Sequence, residues 1–192
     1  MLDGRPRQTN AALAAFVAAI DRASLLAAAG AVLALASIAG LMLAEVFARN
    51  VLGRSLHVTW ELSAYAMGAV FFLAAPAAML RGEHVRVGIL FEVLGPRGAR
   101  ALELAATLLG IVVAGYLAAA LWQLTGRSFA GDVRSWSGYR FPLFVPQAVL
   151  SLGATLLALQ LVARLVRVVT GRPAEDRVET AIAAADAPRD RP

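Results

Sequence analysis

The 192-residue sequence contains neither cysteine nor lysine, and its two histidines are His57 and His84. Without cysteine the chain has no thiol nucleophile, no disulfide and no thiolate ligand for an iron–sulfur cluster. Only 16% of the residues are charged, whereas an ordinary soluble domain has about 25%. By contrast, 59% are hydrophobic, and the mean hydropathy is +0.68. This composition argues against a water-soluble enzyme and indicates a membrane protein.

Charged residues are missing from four long stretches, which are residues 23–44, 62–80, 104–126 and 141–163. A helix needs roughly 20 apolar residues to cross the ~30 Å hydrocarbon core, so each stretch is long enough. Unbroken runs of this length favour helices over barrel strands, because a helix satisfies its own backbone in lipid. The first stretch exceeds the 7–15 apolar residues of a signal peptide, which favours a retained helix. The sequence therefore predicts an all-α integral membrane protein with four transmembrane helices.

The arginines predict how the chain is oriented. If the spans alternate across the membrane, 13 of the 18 arginines fall on the side of both termini and the central loop, and five on the other side. The positive-inside rule then places both termini in the cytoplasm, an N-in/C-in topology. Trp60, Trp122 and Trp136 fall near the outer helix ends, where an interfacial aromatic belt is expected. The basic pI of about 10.9 thus indicates topology, and we expect no nucleic-acid partner.

The predicted domains are a cytoplasmic N-terminal segment (1–22), a four-helix membrane domain (23–165) and a cytoplasmic, disordered tail (166–192). Segment 82–98 is too polar to span but has apolar residues at near-helical spacing. It predicts a short amphipathic helix at the interface between the second and third spans, with an ordinary solvated loop as the alternative. Residues 95–98, Gly-Pro-Arg-Gly, predict a turn before the third span. The apolar residues 11–20 either extend the first span or lie along the membrane surface.

Two features predict how the spans pack. Ala106, Gly110, Ala114 and Ala118 form a stripe of small residues that would allow close helix contact in the third span. Pro76 lacks an amide hydrogen, so it frees the backbone carbonyl four residues earlier and predicts a kink in the second span.

Few residues could carry chemistry. The sequence has no GxSxG elbow, P-loop or HExxH motif. His57 and His84 lie in loops on opposite predicted sides, so they cannot share a metal. The spans contain no charge, whereas ion-coupled carriers usually bury ionisable groups near the midplane. We therefore expect no catalytic, cofactor-binding or metal-binding residues, and a helical subunit beside a larger membrane protein.

From Trp60 to about Arg164, the chain resembles the small permease subunit of tripartite ATP-independent periplasmic (TRAP) transporters, the DctQ type. Trp60-Glu61-Leu62 opens the second span after an outer loop. Residues 71–100 are similar to the family pattern of a span ending in Arg-Gly-x-His-Val-Arg-Val, followed by an amphipathic segment and a Pro-Arg-Gly turn. Pro142 and the later Leu152-Gly153 resemble the family's last span.

The resemblance implies a division of labour in a bacterial inner membrane. A periplasmic solute-binding protein would capture an organic acid, and a large multi-helix permease would carry it with coupling ions, usually sodium. The small subunit would be a non-catalytic, multi-pass partner that braces the permease and helps dock the binding protein. Alternatives from the residues alone are a stand-alone small membrane enzyme or carrier, or the membrane anchor of a redox complex.

The candidate contact residues fall into three groups by position. Two open the second span, three follow it on the predicted cytoplasmic side, where anionic lipid headgroups are an additional partner, and three lie in the second outer loop. They are Trp60 and Glu61; Arg81, His84 and Arg86; and Asp132, Arg134 and Trp136.

Overall fold

Four helices form nearly all of the structure, a computed structural model that describes residues 6–56, 58–81 and 88–170. They are α1 (Pro6–Val51), α2 (Val58–Arg81), α3 (Gly88–Ala130) and α4 (Phe144–Thr170). In the described ranges there is no strand, only an isolated antiparallel bridge between Arg134 and Pro142. The all-helical class is confirmed.

Each helix contains a segment long and apolar enough to cross a membrane: Ala11–Val51, Val58–Arg81, Arg100–Ala130 and Phe144–Val169. The four predicted spans fall within these helices, apart from residues 141–143. Phe141 and Pro142 instead pair with the loop before them, because the Phe141 carbonyl accepts a hydrogen bond from Ser135 N at 2.9 Å. The orientation of the helices in the membrane remains a prediction.

Two helices continue beyond the limits that the charged residues predict. Residues 11–20 continue α1 without a break, so they extend that helix. Whether they also extend the membrane span remains a prediction. At the other end of the chain, α4 continues to Thr170, past the predicted domain boundary at residue 165.

The predicted turn at Gly95–Gly98 is wrong, because the backbone is helical throughout this segment. Proline removes one helical hydrogen bond and glycine costs only about 1 kcal/mol, so this composition favours a turn without forbidding a helix. Residues 88–98 are thus continuous with the span and do not form a separate short helix. The rest of the predicted segment, residues 82–87, lies outside the described residues, and an interfacial position remains a prediction.

Helix α4 is the centre of the bundle. It packs against α1, α2 and α3, and α1 also packs against α2. We call the end with residues 52–56 and 131–143 the loop end, and the opposite end, where α1 begins and α4 finishes, the termini end. Since α2 and α4 both start at the loop end, they run parallel, whereas α3 runs antiparallel to α4.

The small-residue stripe of α3 is only partly confirmed. Ala114 and Ala118 are buried, and Gly110 faces the Leu161 side chain of α4. Ala106 is exposed, and the neighbouring Thr107 is buried in its place. A stripe at steps of four drifts around a helix with 3.6 residues per turn, so its first member turns away from the contact.

Candidate docking site and the contacts that hold it

At the termini end, α4 is joined to α1 by a buried polar cluster. Arg167 forms an ion pair with Asp21, and the side-chain amide of Gln160 donates to the same carboxylate at 3.1 Å. Ser24 donates to the Gln160 carbonyl oxygen at 3.2 Å, and both residues are fully buried. Each of the four side chains therefore has a partner on the other helix, which is how polar side chains are tolerated away from water.

A second ion pair joins α4 to α3 at the same end. Arg164 contacts the Glu103 carboxylate at 3.1 Å, and its guanidinium also lies 3.9 Å from the sulfur of Met79 at the end of α2. The uncharged stretch 141–163 predicts this arginine just outside the span, but the structure buries it between three helices. Arg164 and Arg167 thus hold α3 and α1, respectively, against α4.

Nearer the loop end, hydroxyl groups connect α3 and α4. The hydroxyls of Thr125 and Ser151 lie 2.9 Å apart, and the Trp122 indole donates to the Thr155 hydroxyl at 3.0 Å. Ser151 is fully buried. Since interhelical hydrogen bonds are among the forces that pair helices in lipid, these contacts fix the register of α3 on α4.

The closest approach between helices lies where α2 crosses α4. A side chain on Gly153 would place its Cβ 2.5 Å from the carbonyl oxygen of Phe72. This is the carbonyl that loses its helical donor because Pro76 has no amide hydrogen. Proline and glycine therefore act together: Pro76 frees the carbonyl, and the bare Cα of Gly153 lies directly against it. Pro76 is itself fully buried.

The loop between α1 and α2 is organised by one carboxylate. Glu45 accepts hydrogen bonds from the Ser55 hydroxyl at 2.6 Å and the Leu56 amide at 2.7 Å, and it pairs with Arg49 at 2.7 Å. Gly53 has a φ of 63°, the left-handed conformation that ends α1. Glu45 is the first charged residue after the uncharged stretch 23–44.

The longer loop folds into a small hairpin, which we define as residues 131–143. Ser135 N donates to Phe141 O at 2.9 Å, and Leu143 N donates to Val133 O at 3.1 Å. The turn ends at Arg140, whose φ of 47° is in the left-handed region. The hairpin is therefore a defined element and not an open connection.

The hairpin is attached to the beginning of α2. The ring of Phe141 lies 5.8 Å from that of Tyr65, whose hydroxyl donates to Glu61 at 2.5 Å. The hydroxyls of Ser135 and Ser137 lie close to the same carboxylate. Glu61, a predicted contact residue, is thus engaged within the chain by Tyr65 and lies beneath the hairpin.

The other predicted loop-end residues point away from the bundle. Trp136 is fully exposed at the turn of the hairpin, and Trp60 is exposed on α2. Asp132 and Arg134 form an ion pair of 3.0 Å between exposed side chains. The structure brings Glu61, Asp132, Arg134 and Trp136 together in or beneath one hairpin.

The predicted residues of the termini end are less fully described. Arg81 is the last residue of α2, and its side chain is exposed. His84 and Arg86 lie outside the described residues. Within the described part of the chain, no group of three histidine or acidic residues is placed to hold a metal ion.

The sequence does not reveal that several polar residues of α4 form a continuous contact system. They recur at a helical spacing of three to five residues, and each pairs with α1 or α3. Their regular spacing on one helix could have indicated a shared contact face. Their partners lie more than 20 residues away in the chain and cannot be identified from the sequence alone. They are Ser151, Thr155, Gln160, Arg164 and Arg167.

A family model described as "Tripartite ATP-independent periplasmic transporters, DctQ component" matches residues 38–171. The match starts within α1 and includes α2, the hairpin, α3 and the whole of α4. No curated protein and no solved structure matches the chain. The family match does not support a stand-alone enzyme or carrier, or a redox anchor. Since it covers more than half of the chain and agrees with the four apolar helices, the protein belongs to the DctQ family, the small membrane components of TRAP transporters.

Proposed function

We propose that this chain is the stationary, non-catalytic scaffold of a TRAP uptake system in the bacterial inner membrane. It supports the large permease, which carries an organic acid together with a coupling ion, most simply sodium. It also helps the periplasmic solute-binding protein to dock through the hairpin. The single observation that favours a scaffold is that α4 is tied to its neighbours by paired polar groups along its length.

The energetics of these contacts support a rigid subunit. Breaking a buried ion pair by removing one partner costs about 3–5 kcal/mol, because it leaves an uncompensated charge. Sliding α1 or α3 along α4 would separate Asp21 from Arg167 or Glu103 from Arg164. A subunit with two such pairs is suited to hold its shape while a partner moves.

The hairpin has properties expected of a docking element. Its backbone is fixed by internal hydrogen bonds and by the ring contact of Phe141 with Tyr65 of α2, so little conformational entropy is lost when a partner binds. At its turn it presents Trp136, a residue type enriched in the energetic centres of interfaces. The exposed Asp132–Arg134 pair beside it offers charges of both signs to a soluble partner. Trp60 lies on α2 at the same end and completes this surface.

At the termini end, Arg81 is placed to meet the large permease or anionic lipid headgroups. Its exposed guanidinium lies at the end of α2, where the inner membrane surface is expected. His84 and Arg86 follow it in the chain, and we assign them to the same contact.

Co-purification and uptake together test the scaffold role. The tagged chain, expressed with the DctM-type large permease of its own genome, should bring that permease through purification in mild detergent. Uptake into cells should require both subunits and a sodium gradient, while the purified chain alone should move no solute in liposomes. Isolation without the permease, or transport by the chain alone, would contradict the proposal.

A hairpin variant tests the docking role separately. Trp136→Ala should reduce uptake and shift its dependence on binding-protein concentration to higher values, with an unchanged yield of the subunit complex. Trp122→Phe is a matched control, since it alters a tryptophan of the same end that lies at the α3–α4 contact. Equal effects of the two variants on the concentration dependence would argue against docking at the hairpin.

A further inference from the structure

Helix α3 carries two polar side chains on the face that no other helix covers. Tyr116 is 78% exposed, and Gln123 is exposed seven residues later. Seven residues are nearly two full turns of an α-helix, so the two side chains lie on one face. The buried residues Ala114, Ala118 and Thr125 define the opposite face, which packs against α4.

The position of Tyr116 is unusual for a tyrosine exposed to lipid. The uncharged stretch of α3 runs from residue 104 to 126, and Tyr116 is one residue from its midpoint. At 1.5 Å per residue, it lies about 16 Å from Arg127 and about 20 Å from Glu103 along the axis. Tyrosine is enriched at the membrane–water interfaces, where its hydroxyl meets water or headgroups. At this depth, acyl chains offer the hydroxyl no hydrogen-bond acceptor.

Within the described residues, neither the Tyr116 hydroxyl nor the Gln123 side-chain amide forms a hydrogen bond. Ser37, a polar residue on the exposed side of α1, behaves differently, since its hydroxyl donates to the carbonyl of Leu33 at 2.8 Å in its own helix. The tyrosine and glutamine side chains are too long for that local solution and project outward. Their hydrogen-bonding capacity is available to another molecule.

The surface between the two polar residues would admit a second helix. Ala119 and Ala120 are exposed there, and no atom lies within 4 Å of the position a Cβ would take on nearby Gly115. Small residues let backbones approach, and polar side chains then bond across the contact, as in helix pairs within membranes. We call the set Tyr116, Ala119, Ala120 and Gln123 the outer face of α3.

We propose that the outer face of α3 binds a transmembrane helix of the large permease, which supplies hydrogen-bond partners to Tyr116 near the bilayer midplane and to Gln123. This inference rests on the proposed function for the identity of the partner. An acyl chain cannot satisfy the Tyr116 hydroxyl at this depth, whereas the large permease that accompanies a DctQ component supplies many transmembrane helices.

Photo-cross-linking from the intact complex tests the contact. Tyr116→p-benzoyl-phenylalanine places a reactive group of similar shape on the outer face. Leu33→p-benzoyl-phenylalanine is the matched control, because Leu33 is 69% exposed and lies near the middle of the first uncharged stretch on α1. In membranes containing both subunits, irradiation should give an adduct with the permease that is stronger from position 116 than from position 33.

Other outcomes contradict the inference. Permease adducts that are equal or weaker from position 116, an adduct between two copies of this chain, or lipid adducts alone would each overturn it. If the permease co-purifies and position 116 still gives no permease adduct, only the α3 contact is wrong. If the permease does not co-purify with the unmodified chain, the proposed function fails as well.

Conservative variants measure the two hydrogen bonds. Tyr116→Phe and Gln123→Leu keep the shape of the side chains, and each should weaken association with the permease by about threefold, the effect of an average interhelical hydrogen bond in a membrane. Ser37→Ala should leave association unchanged. Full retention of affinity in the double variant Y116F/Q123L would overturn the assignment.

Discussion

A methyl group on Gly153 would need space that the backbone of Phe72 already occupies. The Cβ of an alanine at this position would lie 2.5 Å from the Phe72 carbonyl oxygen, 2.6 Å from its carbonyl carbon and 2.8 Å from its Cβ. Even a close C–H···O contact keeps carbon and oxygen about 3.3 Å apart. Helices α2 and α4 would therefore have to separate locally by about 0.8 Å, because the obstacle is main chain and cannot change rotamer.

The cost of this separation can be estimated. A radial gap of 0.5–1 Å forfeits about a quarter to a half of the dispersion energy of the atoms involved, and overpacked cores lose about 1–3 kcal/mol. Alanine recovers about 1 kcal/mol relative to glycine within a helix. Because the obstacle is rigid, we take the packing loss near the upper end of its range, about 3 kcal/mol. After the gain of about 1 kcal/mol from alanine, Gly153→Ala should reduce the free energy of unfolding by about 2 kcal/mol.

Two other glycines provide matched controls in the same fold. Gly115→Ala adds a methyl group where no atom lies within 4 Å, and Gly110→Ala meets only the side-chain end of Leu161 at 3.4 Å. Both variants should be as stable as the parent chain or slightly more stable. Unfolding by SDS titration from mild-detergent micelles, followed by tryptophan fluorescence, would compare them. A Gly153→Ala variant as stable as Gly115→Ala would refute the close contact between α2 and α4.

The polar contacts of α4 make two further predictions in the same assay. Arg167→Ala should destabilise the bundle by about 3 kcal/mol because Asp21 is left without its ion partner. The exchange D21R/R167D should recover part of this loss. An Arg167→Ala variant whose stability is within about 0.5 kcal/mol of the parent would contradict the role of the pair. A double-mutant cycle of Thr125→Val and Ser151→Ala should give a coupling energy of about 0.6 kcal/mol, whereas additive effects would show that their hydroxyls do not interact.

The membrane-spanning segments could be predicted because one strong physical constraint determines them. Twenty or so residues without charge can cross the bilayer only as a helix, so residues 62–80 and 104–126 were located by reading charges alone. The limits of the helices were not predictable in this way. Charged residues end the apolar run but do not end a helix, which is why α1 continues through Glu45 and α4 through Arg164.

The turn predicted at Gly95–Gly98 shows the limit of local propensity. Proline and glycine are the strongest local indicators of a turn, yet each costs a helix only a few kcal/mol or less. A long helix on both sides accommodates such a cost, and α3 continues through the segment. The left-handed residues Asp132 and Arg140, which shape the hairpin, are not glycine, so the sequence carried no clear signal for them.

The candidate site was predicted as a set of residues but not as an arrangement. Trp60 was selected because it opens the second span, and Arg134 and Trp136 because they lie in an outer loop. The structure exposes Trp60 and Trp136 at the loop end. The position of Glu61 beneath Ser135 and Ser137 depends on a contact between α2 and a loop more than 70 residues away. Such a contact follows from packing, and a single sequence does not contain that information.

The distribution of polar groups separates the inside of this bundle from its outside in a way that suits a supporting subunit. Toward α4, ionisable and hydroxyl side chains are engaged with each other, so movement of α1 or α3 would break contacts that lipid cannot replace. On the outer face of α3, Tyr116 and Gln123 leave their hydrogen-bonding groups for another molecule. A protein that moved solute by rearranging its own helices would need the opposite arrangement, in which interior contacts break and re-form at a low cost in free energy. We therefore expect the conformational change of the transport cycle to take place in the large permease, against a DctQ subunit whose four helices keep their relative positions.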